Sequence, residues 1–143
     1  MAKYASDFYT PKNPQKYVGR GVPRYRSSWE LTFMNFCDNH PSVLQWASES
    51  IRIPYRNPLS GKNTTYVPDF FIIYQDSNGQ NHAELIEIKP SKQSSLTEAK
   101  SRHDKLSVVL NFAKWQAAAA FCASKNIKFR IITEHQLFAN GKK

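Results

Sequence analysis

Three polar side chains stand out in the middle of this sequence, because they interrupt stretches that are otherwise apolar. They are Asp69 in the run 66–74, and Glu87 and Lys89 in the run 83–89. Side chains alternate between the two faces of a strand, so Glu87 and Lys89 are expected to project together. A carboxylate and an ammonium on a buried strand are costly unless they pair or have a function. Taken alone, Glu87 and Lys89 are interpreted as a structural ion pair, with a catalytic role as the alternative.

The turn between the two runs is expected to bring Asp69 next to Glu87 and Lys89. Residues 76–79 are rich in turn formers, so the runs predict a hairpin. With Asn78 as the pivot, Asp69 pairs with Glu87. Two carboxylates and a lysine then converge, and such oxygen ligands suit Mg²⁺ or Mn²⁺. A cation activates water and neutralises phosphate while a lysine positions the nucleophile, so the pattern predicts phosphodiester hydrolysis.

The elements that position these residues follow from hydrophobic periodicity. Residues 27–30 match a capping box and begin an apolar helical stripe, which ends at residues 39–41. The long helix has apolar positions at spacings of three and four. The order is helix, three strands, helix, strand, which predicts an α/β fold with a mixed central sheet flanked by helices. The further predicted elements are a short helix over 43–47, strands over 51–55, 66–74, 83–89 and 127–133, and the long helix from about Leu96 to Ala123.

The 143 residues suit one ordinary domain. Residues 1–26 are basic, rich in tyrosine and proline, and without helical or strand periodicity. They predict an extended arm that lies along the domain or along a partner. The domain itself is expected over residues 27–137, followed by a basic tail over 138–143.

The net charge of +9 favours a polyanionic partner, nucleic acid first, because neutralised phosphates release counterions. The alternative is that the charge only maintains solubility. The basic residues expected to contact DNA are Arg24, Arg26, Lys62, Lys92 and Lys105.

Several other classes of function lack their sequence patterns. Cys37 and Cys122 are too isolated for a zinc site and are expected to be reduced. The four histidines lack metal-binding spacing, and no phosphate-binding loop is present. No apolar run reaches membrane-spanning length and no secretory signal is recognised, so a cytoplasmic protein is expected.

Pro68-Asp69 followed by Glu87-Ile88-Lys89 resembles the PD-(D/E)XK nuclease motif, and the element order is similar to the core of that superfamily. Over most of its length the chain also resembles the head-completion nucleases of tailed phages and, more distantly, the TnsA-type transposon-end nucleases. The stretches that carry this likeness are residues 12–17, 26–30, 46–49, 53–59, 66–70 and 131–134.

The resemblance implies a restriction-endonuclease-like αβββαβ core with Asp69, Glu87 and Lys89 as catalytic residues. It also implies Glu30 as a further catalytic carboxylate and metal ligand, with a capping-box role as the alternative. Gln116 resembles the helical residue that some subfamilies place beside the active site, with a solvated helix position as the alternative. The metal ligands are then Asp69, Glu87 and Glu30.

The implied activity is a Mg²⁺- or Mn²⁺-dependent endonuclease that acts on double-stranded DNA during phage head completion. Expected partners are portal, neck or tail-completion proteins, with no membrane and with a homodimer as the cutting unit. The expected location is the host cytoplasm or the virion neck. Two alternatives remain: a structural neck or adaptor protein that retains the nuclease fold, and a non-catalytic DNA-binding module.

Overall fold

The computed structural model describes residues 7–94 and 99–140, with side chains described as far as Leu137 at the C-terminal end. Eight strands and three α-helices occur in this part of the chain. The strands are β1 (Asp7–Phe8), β2 (Arg24–Tyr25), β3 (Val43–Ser48), β4 (Ile53–Arg56), β5 (Asn63–Tyr66), β6 (Phe70–Gln75), β7 (Asn81–Ile88) and β8 (Lys128–Ile132). The helices are α1 (Ser28–Asn39), α2 (Arg102–Ala123) and α3 (Glu134–Asn140).

The central sheet has the strand order β3-β6-β7-β8. Strand β6 runs antiparallel to both β3 and β7, whereas β8 runs parallel to β7 after the crossover through α2. The order α1-β3-β6-β7-α2-β8 is therefore the predicted αβββαβ core with a mixed sheet, and this prediction is confirmed.

The two faces of the sheet are covered by different helices. Helix α1 supplies Phe33, Met34 and Cys37 to a core cluster that includes Ile86 and Ile88 on β7. On the opposite face, Leu85 packs in a second cluster with apolar residues of α2, among them Ala118 and Cys122. Alternate residues of β7 thus point into two separate cores, as expected for a sheet with helices on both faces.

The segment 43–47, for which the sequence predicts a helix, forms strand β3 instead. Its buried residues are Val43, Trp46 and Ala47, at positions i, i+3 and i+4, which is the spacing of a helix face. The pairing with β6 shifts by one residue between Val43 and Gln45, which marks a β-bulge. The bulge breaks the period of two and so gives a strand the burial pattern of a helix.

The predicted strand over 66–74 is two strands separated by residues 67–69. Strand β5 pairs with β4 in a separate two-stranded sheet, and β6 lies in the central sheet. The predicted strand over 51–55 therefore belongs to the β4-β5 hairpin and not to the central sheet. Pro68 has no N–H to donate to a ladder, which explains why the chain changes sheets at this point. Asp69 follows directly, at the entrance of β6.

Helix α2 begins at Arg102, where the Ser101 side chain accepts a hydrogen bond from Asp104 N at 3.0 Å. The predicted start at Leu96 lies outside the described residues, but Ala99 and Lys100 are described and are not helical. In the described part of the chain, α2 is the one helix long and apolar enough to cross a membrane by length and composition. The expectation of no such segment was wrong on this criterion, although here α2 packs through Ala118 and Cys122 in the cluster that contains Leu85 of the sheet.

The basic arm, as far as residues 7–26 are described, packs on the domain. Tyr9 is buried in the core cluster of α1, and its hydroxyl donates a 2.5 Å hydrogen bond to Asp38. The Asp38 carboxylate is fully buried and also accepts hydrogen bonds from the backbone N–H groups of Lys12 and Asn13. Burial alone would raise the pKa of Asp38, but these hydrogen bonds outweigh it and hold the pKa below its usual value.

The boundaries of the predicted domain do not coincide with breaks in the structure. The arm shares a core with the domain, and helix α3 continues past residue 137 to Asn140. Of the predicted tail over 138–143, residues 141–143 lie outside the described part of the chain.

Candidate active site

The predicted register of the β6-β7 hairpin is confirmed. Phe70 lies opposite Ile86 and Gln75 opposite Asn81, and both pairs centre on residue 78. Asp69, one residue before β6, therefore lies at the level of Glu87. Its Oδ2 accepts a 2.8 Å hydrogen bond from the Ile88 N–H, and its carbonyl oxygen accepts one from Glu49 N at 2.9 Å. Asp69 is thus held on both sides, by β7 and by the end of β3.

Glu87 is 5 % exposed and has two partners at the end of β7. Its Oε1 accepts a hydrogen bond from the Tyr66 hydroxyl at 2.8 Å, and its Oε2 lies 3.5 Å from Lys89 Nζ. The Lys89 side chain remains partly exposed, and its backbone N–H donates to Ile132 O on β8. Glu87 and Lys89 therefore form a partly open ion pair beside Asp69.

Helix α2 adds a second cation, Lys114, for which no role was predicted. Its Nζ lies 5.7 Å from the centroid of the Tyr66 ring. Burial and the nearby charge of Lys89 lower the pKa of Lys114, while the carboxylates of Glu87 and Asp69 act in the opposite direction. The contact with Tyr66 and these influences place Lys114 near Asp69 and Glu87, which together with Glu30 we call the acidic cluster.

Glu30 has a modified capping-box role, in which its carboxylate accepts from the residue before the N-cap, and its charge also acts on Asp69. Its N–H donates to Ser27 Oγ at 3.2 Å, and its Oε1 accepts from Arg26 N at 2.9 Å. Burial and the neighbouring Glu49 raise the pKa of Glu30, while the charges of Arg26 and Lys89 lower it. The two interpretations of this residue are compatible, because only one carboxylate oxygen is needed for the cap.

The carboxylates of the cluster repel one another. Burial, followed by the charges of Glu87 and Glu30, raises the pKa of Asp69 well above its usual value. Burial also raises the pKa of Glu87, and Lys89 and Tyr66 partly offset that increase. A divalent cation would relieve this repulsion, since it replaces the lost hydration of two adjacent anions.

The donor set fits a cation that keeps several waters. Within residues 7–94 and 99–140, no three carboxylate, histidine or cysteine side chains are close enough to enclose a metal ion. Asp69 and Glu87 are a pair of hard oxygen ligands, which is the kind of site that Mg²⁺ takes when a substrate phosphate completes its shell. The assignment of Glu30 as a third ligand stays a prediction.

Gln116 does not join these residues. It is exposed and lines a shallow apolar depression with Phe112, Trp115 and Phe129. Gln116 is two positions from Lys114, and each position turns a helix by about 100°, so the two side chains leave α2 in nearly opposite directions. Gln116 also borders Ile131, which lies opposite Glu87 on β8. Because the described residues show no hydrogen bond between Gln116 and Asp69, Glu87 or Lys89, its place in the active site stays a prediction.

The contribution of helix α2 can be tested with a matched pair of variants. We expect Lys114→Ala to lower the cleavage rate of plasmid DNA about tenfold, because a cation near the phosphate contributes about 1.4 kcal/mol. Gln116→Ala is the control and should stay within about twofold of the unmodified protein. Equal losses in both variants would show that the position of Lys114 on α2 has no specific role in cleavage.

The five basic residues predicted to contact DNA are all exposed, and they lie in different elements and turns. Arg26 pairs with Glu49 beside Glu30, and Arg24 lies 5.8 Å over the ring of Phe8. Lys62 lies in the turn between β4 and β5, Lys92 follows β7, and Lys105 lies in the first turn of α2. Their roles in DNA binding stay predictions.

Sequence reasoning missed Tyr66, Lys114 and Glu49 as parts of this site. The alternation of β5 could have suggested Tyr66, but only a separate hairpin turns its hydroxyl toward Glu87. Lys114 could have been found from helical spacing, since it is the one cation in the apolar stretch 106–123.

The sequence of this chain matches a known protein family and a known phage protein. Residues 40–134 match the family model described as "TnsA-like endonuclease N terminal". Asp69, Glu87, Lys89 and Lys114 all lie inside the matched range, whereas Glu30 precedes it. The chain is also 38 % identical, over 148 aligned residues, to the head completion nuclease of Enterobacteria phage T4. That alignment covers 94 % of this chain and 95 % of the phage protein.

Proposed function

Because the chain belongs to the TnsA-like endonuclease family, within the PD-(D/E)XK nucleases, we propose that it is a Mg²⁺- or Mn²⁺-dependent enzyme that cuts double-stranded DNA during completion of a phage head. The observation that supports this best is the juxtaposition of Asp69, Glu87 and Lys89 at neighbouring strand ends. The role in head completion rests on the name of the phage relative. Action in the host cytoplasm or at the virion neck, with portal, neck or tail-completion proteins as partners, is part of the same proposal.

Each residue of the site has its own role in hydrolysis. Asp69 and Glu87 would hold the cation, with Asp69 fixed by Ile88 N–H and Glu87 by the Tyr66 hydroxyl. When bound, the cation supplies neutralisation of phosphate charge and activation of water. Lys89, 3.5 Å from Glu87 and partly exposed, can donate hydrogen bonds to a phosphate oxygen or to the attacking water. Lys114 adds positive charge where the transition state gains negative charge.

The requirement for metal is tested on supercoiled plasmid. We expect nicking and linearisation with Mg²⁺ or Mn²⁺ and no cleavage in EDTA, because a two-carboxylate site without its cation only repels phosphate. Readdition of Mg²⁺ after EDTA should restore the rate. Undiminished cleavage in EDTA would contradict the proposed metal dependence while leaving the family assignment intact.

One active site per chain suits a homodimer for cutting both strands, and we include this in the proposal. Analytical ultracentrifugation with and without duplex DNA measures the oligomeric state of the protein.

A structural adaptor role is the second candidate, and one surface favours it. Helix α2 exposes Leu106, Val109 and Phe112, each more than 40 % accessible. Exposed apolar stripes of this kind mark protein-interaction sites. Deletion of the arm cannot separate the two functions, because Tyr9 and Tyr17 pack in the core. A catalytically inactive variant that still completes infectious particles would favour the adaptor role.

A further inference from the structure

A groove lies between the arm and the end of β3, and Glu49 in its lining contacts Asp69. We call it the arm groove; residues 17–24 form one wall and residues 48–52 the other. Its volume is about 610 Å³, and its charged lining residues are Arg20, Arg24, Arg52 and Glu49. Arg26, which does not line the groove, pairs with Glu49. The lining is therefore strongly positive, with its one carboxylate already compensated.

The arm wall of the groove is firmly attached to the domain. Val18 N donates to Trp46 O at 2.9 Å, and the Tyr17 ring packs edge-on against Trp46 with centroids 4.7 Å apart. Gly19 lies so close to Tyr17 that a Cβ atom would come within 2.4 Å of the Tyr17 hydroxyl oxygen. A larger residue at this position would displace the Tyr17 side chain from its contact with Trp46.

Glu49, in the wall formed by residues 48–52, connects the groove to the active site. Glu49 adopts a left-handed backbone conformation with φ of 50°, which is uncommon for a residue other than glycine. In this conformation its N–H donates to the carbonyl oxygen of Asp69 at 2.9 Å. Strained backbone of this kind is retained mainly where a site requires it. A strand in the groove would thus pass next to the residue that we assign as a metal ligand.

We propose that the arm groove binds a single-stranded DNA extension next to the position of cleavage, an inference that rests on the proposed nuclease function. The groove has the volume of a small-ligand pocket, which suits a few nucleotides of one strand and is too small to enclose a duplex. Arg20 and Arg52 are exposed and can contact phosphates. Val18 and Val22, exposed by 49 % and 56 %, offer apolar contacts to bases or sugars. A positively charged groove that follows the backbone is one of the usual means of holding single strands.

The experiment compares a blunt duplex with duplexes that carry an extension of about six nucleotides at the 3′ or the 5′ end. The variant Arg20→Ala/Arg52→Ala removes two groove cations. The variant Lys125→Ala/Lys128→Ala removes two cations beyond the end of α2 and at the start of β8, at the far end of the sheet. Cleavage rates are measured with Mg²⁺, binding is measured by fluorescence anisotropy in EDTA, and thermal melting checks that both variants fold.

We expect the unmodified protein to cut and bind one extended duplex at least about fivefold better than the blunt one. The Arg20/Arg52 variant should lose this preference, and the slope of log affinity against log salt should fall by about 1.4, or about 0.7 for each lost contact with a single-strand phosphate. The Lys125/Lys128 variant should keep the preference. Equal binding of blunt and extended DNA by the unmodified protein, or a preference that survives in the Arg20/Arg52 variant, would overturn the inference. Absence of all cleavage with normal, groove-dependent binding would contradict the nuclease proposal alone.

Discussion

Replacement of Asp69 by asparagine is expected to lower DNA cleavage by about 10³-fold or more. The amide keeps the oxygen that accepts from Ile88 N–H but loses the negative charge that would hold the cation. Loss of a metal ligand removes several kcal/mol of transition-state stabilisation, and about 4 kcal/mol corresponds to 10³ in rate. Initial rates on supercoiled plasmid at saturating Mg²⁺ measure the effect.

The same variant should be more stable than the unmodified protein when no metal is present. Burial and the charges of Glu87 and Glu30 raise the pKa of Asp69 in the folded state above its unfolded value, so ionised Asp69 opposes folding. The stabilisation of Asp69→Asn should be about 1 kcal/mol, or about 4 °C in Tm, at pH 7.5 in EDTA. As the pH falls through the raised pKa toward about 4, Asp69 gains its proton and the difference should vanish.

An exposed carboxylate provides the control for both measurements. Asp7→Asn removes a charge from β1, far along the chain from the cluster, and should change neither rate nor stability appreciably. Asp69→Asn with full activity, or with a Tm below that of the unmodified protein at pH 7.5 in EDTA, would contradict the roles given to this residue. If Asp69→Asn protein still supports assembly of infectious particles, binding rather than cutting is the biological requirement.

Replacement of Lys89 by alanine is expected to lower the cleavage rate by about 10²- to 10³-fold without loss of the metal. Lys89 Nζ lies 3.5 Å from Glu87 Oε2 and is the cation best placed to contact the reacting phosphate or water. Because Lys89 competes with the cation for Glu87, affinity for Mn²⁺ should stay equal or increase. Plasmid cleavage gives the rate, and isothermal titration calorimetry gives the metal affinity.

Lys128→Ala is the matched control for Lys89→Ala, since it removes one positive charge from the start of β8, opposite Glu84. It should retain cleavage within about twofold. A comparable loss in both variants would show that general charge, and not the position of Lys89, controls the rate.

The fold was predictable where local pattern and tertiary contacts agree. The hairpin register followed from the turn at residues 76–79, in which Asp76 accepts hydrogen bonds from Asn78 N and Gln80 N. Strand β3 was not predictable, because its β-bulge imitates helical spacing. The division of the stretch 63–75 into two strands was missed for a related reason. An apolar and β-branched run does not reveal that its two halves pair with different partners.

The candidate site was predictable to the extent that it lies on one hairpin. Asp69, Glu87 and Lys89 follow from strand alternation and register, which act over short distances in sequence. The contributions of Tyr66 and Lys114 depend on how the β4-β5 hairpin and α2 pack against β7. Sequence spacing identified the correct helix and proposed Gln116 but missed Lys114, because the rotation of α2 about its axis is set by the packing of Ala118 and Cys122.

The most direct test of the metal-dependent site is a crystal structure of the protein with Mn²⁺, with the ion located by its anomalous scattering. The site described above predicts one strong peak in contact with carboxylate oxygens of both Asp69 and Glu87, at about 2.2 Å. The same peak should be absent from crystals of Asp69→Asn protein. A peak that touches neither carboxylate, or no peak at a saturating concentration of Mn²⁺, would contradict the account.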